Sequence, residues 1–218
     1  MAGSRREVVP PLLFVVSGPS GSGKGEAIRI LTEQLDLART TTYTTRPARP
    51  GEVDGRNYWF LSLERFWALE SEGRFLEYNQ TYGSHIYASP AELRAFGDST
   101  PDAVVELDPD GYQLVRRFSA RRVIGLFLLP PSIDTLMARI NERSPEADLD
   151  ERMEVARRQL AQAWNYDQLL VNESLGELED DLRACVETYR SHQRATRHLL
   201  SSLAELRRHR AMGGVASA

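Results

Sequence analysis

Lysine is almost absent from this chain of 218 residues, because 26 of its 27 basic residues are arginine and Lys24 is the only lysine. A bias against lysine accounts for the scarcity. It does not account for the position of the one that remains, in a glycine-rich segment behind a hydrophobic run. A compact ammonium on a flexible stem meets phosphate oxygens in a way that a planar guanidinium does not. The position of Lys24 therefore indicates a site for nucleotide phosphates.

Cysteine, histidine and long hydrophobic runs are scarce as well. Cys185 is the only cysteine, so an internal disulfide is impossible, and with only four scattered histidines a zinc cluster is not expected. The apolar run at 12–16 is too short for a signal-peptide core or a membrane span. We therefore expect a cytoplasmic protein without a membrane partner.

The chain also lacks an excess of positive charge, since its formal net charge is -4. This disfavours a protein that coats nucleic acid, whereas a small anionic substrate needs only a local group of arginines. Hydrophobic residues make up 41% of the chain, which suffices for one domain with a sizeable core. We expect small-molecule ligands and no nucleic-acid partner.

Strands and helices alternate along most of the sequence. Apolar runs predict strands at 12–17, 58–61, 103–107, 123–129 and 169–171. Amphipathic patterns predict helices at 25–37, 63–73, 132–142, 148–164 and 176–190. Such alternation is typical of an α/β fold with a parallel-sheet core and helices on both faces.

The glycine-rich segment lies between the first predicted strand and the first predicted helix, where a phosphate-binding loop is expected. Its backbone N–H groups would face a phosphate at the helix N-terminus, while the lysine adds mobile positive charge. The candidate ATP-binding residues of this loop are Gly18, Pro19, Ser20, Gly21, Ser22, Gly23, Lys24 and Gly25.

Gly25 departs from the usual loop, which has Ser or Thr after the lysine as a magnesium ligand. Either the loop is catalytically weakened, or it resembles the Gly-Lys-Gly loop of adenylate kinases, in which phosphates and water hold Mg²⁺. Since Mg²⁺ keeps several waters, the second interpretation is physically reasonable, and we favour it. We then expect no direct protein ligand to the metal.

Six segments in order resemble the guanylate kinase family, whose members move the γ-phosphoryl of ATP to GMP or dGMP. They are TTRPARPGEVDGRNYWF at 44–60, FLEY at 75–78, YAS at 87–89, ELD at 106–108, PPS at 130–132 and VN at 171–172. The resemblance covers about residues 12–187. It implies a P-loop NMP-kinase fold with its core at 12–38 and 100–190, an acceptor-binding insert at 40–98 and a lid at 139–152.

The resemblance also implies roles for individual side chains, with ATP as co-substrate and Mg²⁺ as cofactor. Arginine forks and phenol hydroxyls are good donors to phosphate, and carboxylates read the donor groups that guanine has and adenine lacks. The residues aligned with groups that bind the GMP phosphate are Arg46, Arg49, Tyr58 and Tyr87. Those aligned with groups around the guanine are Thr42, Glu77, Ser89 and Asp108, and Glu106 is counted among the GMP-binding residues without a more specific role.

Three arginines in the segment 139–152 match those of the kinase lid, namely Arg139, Arg143 and Arg152. With Lys24 they suit a transition state whose charge is spread over phosphate oxygens. On an ordinary helix the same arginines would only pair with nearby glutamates. Asn172 aligns with an asparagine near the ATP base.

Two departures affect the acceptor side. The segment from Glu77 to Ser89 is one residue longer than the common family pattern. Glu106 stands where the family usually has aspartate. If Glu106 and Asp108 both lie on a strand, their side chains point to the same side, at the sheet edge where α/β proteins bind ligands.

Two other functions fit parts of this pattern. A kinase on the same scaffold could act on a modified nucleotide or a sugar phosphate, but such an acceptor would need no guanine-reading carboxylates. A catalytically weakened nucleotide- or protein-binding module would be expected to lose the loop and Lys24, which are both present.

The two ends of the chain lie outside the resemblance. Residues 1–11 are expected to form a flexible tail, and 191–218 a helical extension ending in a disordered tail from about 212. Leu199, Leu200, Leu203 and Leu206 share one face of the extension. Packing of this face on its own domain gives a monomer, and pairing with a second copy gives a homodimer.

Overall fold

The computed structural model describes residues 9–81, 85–95, 100–143 and 149–213, and two sheets lie within them. Parts of the predicted tails, residues 82–84 and the segment 144–148 of the predicted lid lie outside these ranges. The strands are β1 (Leu12–Ser17), β2 (Ala38–Arg39), β3 (Tyr43–Thr44), β4 (Trp59–Phe60), β5 (Phe75–Thr81), β6 (His85–Pro90), β7 (Ala103–Glu106), β8 (Arg122–Leu129) and β9 (Gln168–Val171).

The helices lie between and after these strands. Two further short 3₁₀ turns occur at Ala91–Arg94 and Ala163–Asn165. The α-helices are α1 (Lys24–Glu33), α2 (Leu63–Ser71), α3 (Pro109–Phe118), α4 (Ile133–Arg143), α5 (Leu149–Ala161) and α6 (Leu175–Gly213).

The core sheet has five parallel strands in the order β2-β7-β1-β8-β9, which confirms the predicted α/β class. Central strand β1 is buried at every residue, as expected for a strand covered on both faces. Leu12, Phe14 and Val16 pack with α1 and α6 on one face. Leu13 and Val15 pack with α3 on the other. The alternation of side chains along β1 thus supplies both layers of the core.

The second sheet has the order β4-β3-β6-β5 and is built around the antiparallel pair β5–β6. Its apolar side packs on α2 through Phe66, Phe75 and Ile86. Of its strands, the sequence predicted only the region of β4. Strands β5 and β6 escaped prediction because polar residues interrupt their apolar ones, so neither strand forms a continuous apolar run.

Helix α3 was also missed, and its position corrects one expectation about the site. Asp108 is not on a strand with Glu106: β7 ends at Glu106, and Asp108 is the N-cap of α3. Its Oδ1 accepts a hydrogen bond from the Gly111 N–H at 2.7 Å, and Pro109 follows it in the first turn. Asp followed by Pro is a favourable helix start, and it ends the strand before Asp108.

Helix α6 runs without interruption across residue 190, where the sequence pattern suggested the start of a separate extension. It includes Met212 and Gly213, which were expected to belong to a disordered tail. Arg190 fastens the helix to the core, since its Nε donates to Asp102 Oδ2 at 3.2 Å and its Nη1 to the Leu35 carbonyl at 3.0 Å. Gln193 adds a hydrogen bond from its Nε2 to the Pro10 carbonyl at 2.9 Å.

Beyond these contacts, Leu199, Leu203 and Leu206 of the predicted leucine face are 57%, 38% and 66% exposed, whereas Leu200 is half-buried. None of the helices in the described part of the chain has the length and apolarity that crossing a bilayer requires.

Candidate active site

A cleft of about 630 Å³ separates the glycine loop from the second sheet. Its walls come from the loop, the strand ends of both sheets, the start of α3 and helix α5. Most of the predicted site residues line it. They are Gly18, Ser20, Gly21, Gly23, Lys24, Gly25, Thr42, Arg46, Arg49, Tyr58, Glu77, Tyr87, Glu106, Asp108 and Arg152.

The loop after β1 has the backbone conformation that only glycine adopts readily. Gly18, Gly21 and Gly23 have φ angles of 144°, 88° and 98°. A Cβ on Gly18 would also lie 2.5 Å from the Leu128 carbonyl oxygen. The loop therefore requires glycine at these positions and brings its N–H groups to the start of α1.

The Lys24 side chain is held above this loop by hydrogen bonds to the loop backbone. Its Nζ donates to the carbonyls of Gly18 at 2.9 Å and Pro19 at 3.1 Å. Glu106 Oε1 lies 3.9 Å from the same Nζ. The ammonium thus stands between the loop and the end of β7.

Two predicted residues support the loop from behind and do not line the cleft. Asn172 Nδ2 donates to the Ser22 carbonyl at 2.9 Å, and Arg139 Nη1 donates to the Gly21 carbonyl at 3.2 Å. Asn172 lies so close to the loop that a Cβ on Gly23 would meet its Nδ2 at 2.0 Å. Pro19 and Ser22 lie within the loop, and the Ser22 hydroxyl is buried.

Helices α4 and α5 form the region of the predicted lid and pack on each other through Leu136, Ile140 and Ala156. Arg152, near the start of α5, lines the cleft. The side chain of Arg143 lies outside the described part of the structure, so the three lid arginines are not seen together.

Arg46 is buried beside an acid that the sequence analysis did not single out. Its Nη1 and Nη2 donate to the two oxygens of Glu52 at 2.9 and 3.0 Å. Glu52 Oε2 also accepts from the Arg49 N–H at 2.7 Å. Burial opposes ionisation of Glu52, but these hydrogen bonds outweigh it, so the pKa of the carboxyl lies below its ordinary value.

Two tyrosines stand beside this arginine. The rings of Tyr58 and Tyr87 meet edge to face at 6.0 Å, and the Arg46 guanidinium lies 5.5 Å from the centre of the Tyr58 ring. Burial of the hydroxyl, with the charge of Glu106, raises the pKa of Tyr58 well above its ordinary value. The phenol is therefore protonated and able to donate a hydrogen bond.

The carboxylates at the other end of the acceptor side come from separate elements. Glu77 on β5 accepts a hydrogen bond from the Ser89 hydroxyl on β6, which is directly opposite in register. Burial raises the pKa of Glu77 to about 7; the Ser89 hydrogen bond opposes this rise, and the charge of Asp108 adds to it. Thr42 and Ser89 are buried, and Thr42 also lines the cleft.

The residues present agree with a magnesium ion held mostly by phosphate and water. Gly25 offers no ligand, and nothing lies within 4 Å of the position that its Cβ would occupy. Among the described residues, no group of three or more His, Cys, Asp or Glu side chains could hold a metal ion. Mg²⁺ commonly keeps several waters and binds through substrate phosphates, so it does not require such a group of protein ligands.

Comparison with known proteins shows which family the chain belongs to. The family model described as guanylate kinase matches residues 11–189, which include every residue that lines the cleft. The chain belongs to the guanylate kinase family. It is therefore a nucleoside monophosphate kinase, an enzyme that phosphorylates GMP with ATP, and this family is generally dependent on magnesium.

Individual relatives agree with this assignment. The guanylate kinase of Alkalilimnicola ehrlichii is 37% identical over 180 residues, which cover 81% of this chain and 88% of the relative. The guanylate kinase of Methylococcus capsulatus is 36% identical over 182 residues. A crystal structure of guanylate kinase from Anaplasma phagocytophilum has the same fold, with a TM-score of 0.65, 23% identity, and coverage of 84% of this chain and 87% of that one.

Several further residues of the chain line the cleft although the sequence motifs did not select them. Glu52 could have been found, because it lies inside the motif at 44–60 and is six residues from Arg46. Asn57 lies inside the same motif, and Glu26 directly follows the glycine loop. The others carry no local signal, since only strand pairing and helix packing bring them to the cleft. They are Arg39, Asn79, His85 and Gln159.

Proposed function

We propose that this chain transfers the γ-phosphoryl of ATP to GMP or dGMP inside the single cleft described above. The observation that carries the proposal is the arrangement of that cleft. A phosphate loop with Lys24 forms one wall, and a buried arginine with two tyrosines and a pair of carboxylates forms the other. The core at 12–38 and 100–190 then binds ATP, and the insert at 40–98 binds the acceptor.

On the ATP side, the loop N–H groups and the start of α1 bind the phosphates, since both present partial positive charge. Lys24 moves from its carbonyl partners to a phosphate oxygen and follows the charge as it shifts during transfer. Asn172 and Arg139 keep the loop in place by their bonds to its carbonyls. When bound, Mg²⁺ would neutralise part of the phosphate charge.

On the acceptor side, Arg46 and Arg49 bind the GMP phosphate together with Tyr58 and Tyr87. Glu52 keeps the Arg46 fork in a fixed plane before the acceptor arrives, which lowers the cost of ordering that side chain. Arg152 of the lid reaches the transferring group from the far side of the cleft. Arg143 is proposed for the same role.

The base is recognised at the end of the cleft opposite the phosphates. Glu77 and Asp108 accept hydrogen bonds from the N1–H and the exocyclic amine of guanine, and Thr42 and Ser89 complete the base edge. Adenine lacks these donors and would leave two carboxylates without partners, which makes its rejection strong. Glu106, close to Lys24, belongs to the phosphate end of the acceptor site.

An acceptor screen tests the proposal. ATP and magnesium are supplied with GMP, dGMP, AMP, CMP, UMP or ribose phosphates, and ADP release is measured. We expect GMP and dGMP to exceed the other acceptors by at least about 100-fold in kcat/KM. The matched control is Lys24→Met, which should fold and lose activity. A folded protein that phosphorylates none of the nucleotides, or that prefers a ribose phosphate, would overturn the proposal.

We propose further that two copies pair through the leucine face of α6, defined as Leu199, Leu203 and Leu206. Their spacing of four and three residues is that of a two-helix seam. Arg194 and Arg197 lie on the opposite side of the helix, so self-pairing does not bring them together.

The cytoplasm remains our proposal for the compartment of this protein, because the buried free thiol of Cys185 suits a reducing environment.

A further inference from the structure

We propose that Asn79 is a positioning residue for the acceptor base: it holds the Asp108 carboxylate in place and so contributes to recognition of the 2-amino group of guanine. The proposal rests on the proposed function, since it concerns the same acceptor site. Asn79 was not among the residues that the sequence motifs selected, and the structure alone brings it to the site.

Strand geometry places Asn79 in the row of acceptor residues. It is two residues after Glu77 on β5, so both side chains lie on the same face of the sheet. In the register of β5 and β6, Glu77 is opposite Ser89 and Asn79 is opposite Tyr87. Asn79 therefore lies between a proposed base reader and a proposed phosphate ligand, and it lines the cleft.

The Asp108 carboxylate is held from two sides. The Gly111 N–H binds its Oδ1 at 2.7 Å, as part of the helix cap. The second oxygen, Oδ2, is 3.5 Å from Asn79 Nδ2, and the same nitrogen is 3.4 Å from Asp110 Oδ2. Both distances are at the long end for hydrogen bonds, so the amide bridges the two acids loosely before substrate binds.

The negative charges around Asn79 explain why an amide suits this position. Glu77 and Asp108 line one end of the cleft, and the charge of nearby Asp110 also acts on Glu77, so the carboxylates repel one another. An amide N–H₂ between two of them offers donors without adding charge. It orients Oδ2 of Asp108, which can then accept a hydrogen bond from an exocyclic amine.

The experiment compares GMP with inosine monophosphate, which retains N1–H but lacks the 2-amino group. Asn79→Ala should lower the GMP preference, measured as the ratio of the two kcat/KM values, by about 5- to 10-fold, as expected for loss of one oriented hydrogen bond. Asn79→Asp preserves shape but adds repulsion, and it should lower the ratio at least as much. Gln80→Ala, the next residue on the same strand, is the matched control.

A double-mutant cycle tests whether Asn79 acts through Asp108. Asp108→Asn keeps a good helix cap, so its effect concerns the ligand. If the inference is correct, Asn79→Ala changes the ratio in the parent protein but not in the Asp108→Asn background. Equal loss of activity with both acceptors, or effects that multiply in the double variant, would show a merely structural role and overturn it.

Calorimetric binding of GMP and inosine monophosphate separates this inference from the proposed function. Preferential GMP binding that is lost in Asn79→Ala, in a protein without kinase activity, would support the inference and contradict the proposed reaction. Normal kinase activity with an unchanged ratio in Asn79→Ala would do the opposite.

Discussion

Among single residues, Glu77 illustrates how surroundings set the chemistry of a side chain. Its carboxyl is buried next to Asp108, and its pKa is raised to about 7. In the proposed role of Glu77, GMP requires the ionised form, because N1–H and the amine are donors. A proton on Glu77 therefore competes with GMP at pH values below this pKa.

Glu77→Gln tests this competition. We expect the kcat/KM for GMP to fall by roughly 10- to 100-fold, because a hydrogen bond to a charged group is replaced by one to a neutral amide. In the parent enzyme kcat/KM should rise with pH between about pH 6 and pH 8, and this rise should be absent in the variant. Glu72→Gln, on the exposed end of α2, is the control.

The same pKa has a consequence for stability. The folded state holds the Glu77 proton up to about pH 7, whereas an ordinary glutamate, at 4.5, loses it earlier. The contribution of Glu77 to stability is therefore present at low pH and lost as the pH rises through this window. Denaturant unfolding of Glu77→Gln should show a gain over the parent that grows from pH 5 to pH 8; a constant difference would contradict the raised pKa.

Gly25 offers a second test at the residue scale. Because space around it is open, Gly25→Ser should fold normally and place a hydroxyl where other phosphate loops bind magnesium. If phosphates and water hold the ion, kcat and the magnesium concentration for half-maximal rate should change by less than about threefold. A large gain in rate or in magnesium affinity would instead show that the natural loop is weakened.

At the scale of elements, Asp108 at the beginning of α3 both caps the helix and lies in the proposed base site. One oxygen caps the helix and the other faces Asn79. The cap fixes the carboxylate relative to β7, and the helix N-terminus favours its negative charge. If Asp108 reads the base as proposed, folding of the helix and formation of the base site are linked.

Two substitutions separate these roles. Asp108→Ala should lower the free energy of unfolding by about 1 kcal/mol through loss of the cap and should also weaken GMP. Asp108→Asn should keep most of that stability, since asparagine caps helices equally well, and still weaken GMP. Thermal unfolding with GMP titration measures both, and equal stability of the two variants would argue against the cap.

For the whole molecule, the exposed leucine face of α6 determines what kind of assembly is possible. A stable dimer usually buries about 800 Å² on each partner, and three leucines supply much less. We therefore expect a weak, concentration-dependent dimer with a dissociation constant of roughly micromolar or above.

The substitutions Leu199→Gln and Leu203→Gln, made together, test this assembly. Light scattering over a concentration series should show self-association of the parent and a monomer for the variant, with kinase activity retained by both. Arg197→Gln, on the opposite side of the helix, should behave as the parent. A parent protein that is monomeric at every concentration would exclude pairing. Truncation at Tyr189 is a poorer test, because it also removes Arg190 and Gln193, which fasten α6 to the core.

The family, the phosphate loop and most of the cleft residues could be predicted from the sequence alone. Their signals are local: a hydrophobic strand before glycines, and a motif in which Arg46, Arg49 and Tyr58 are close in sequence. Tertiary structure decided how distant segments meet. The β5–β6 register puts Asn79 opposite Tyr87. Asp108 is the N-cap of α3 and does not continue the strand that contains Glu106. The core leaves Leu199, Leu203 and Leu206 of α6 exposed. Such features depend on pairing and packing between elements, and for that reason no single stretch of sequence contains them.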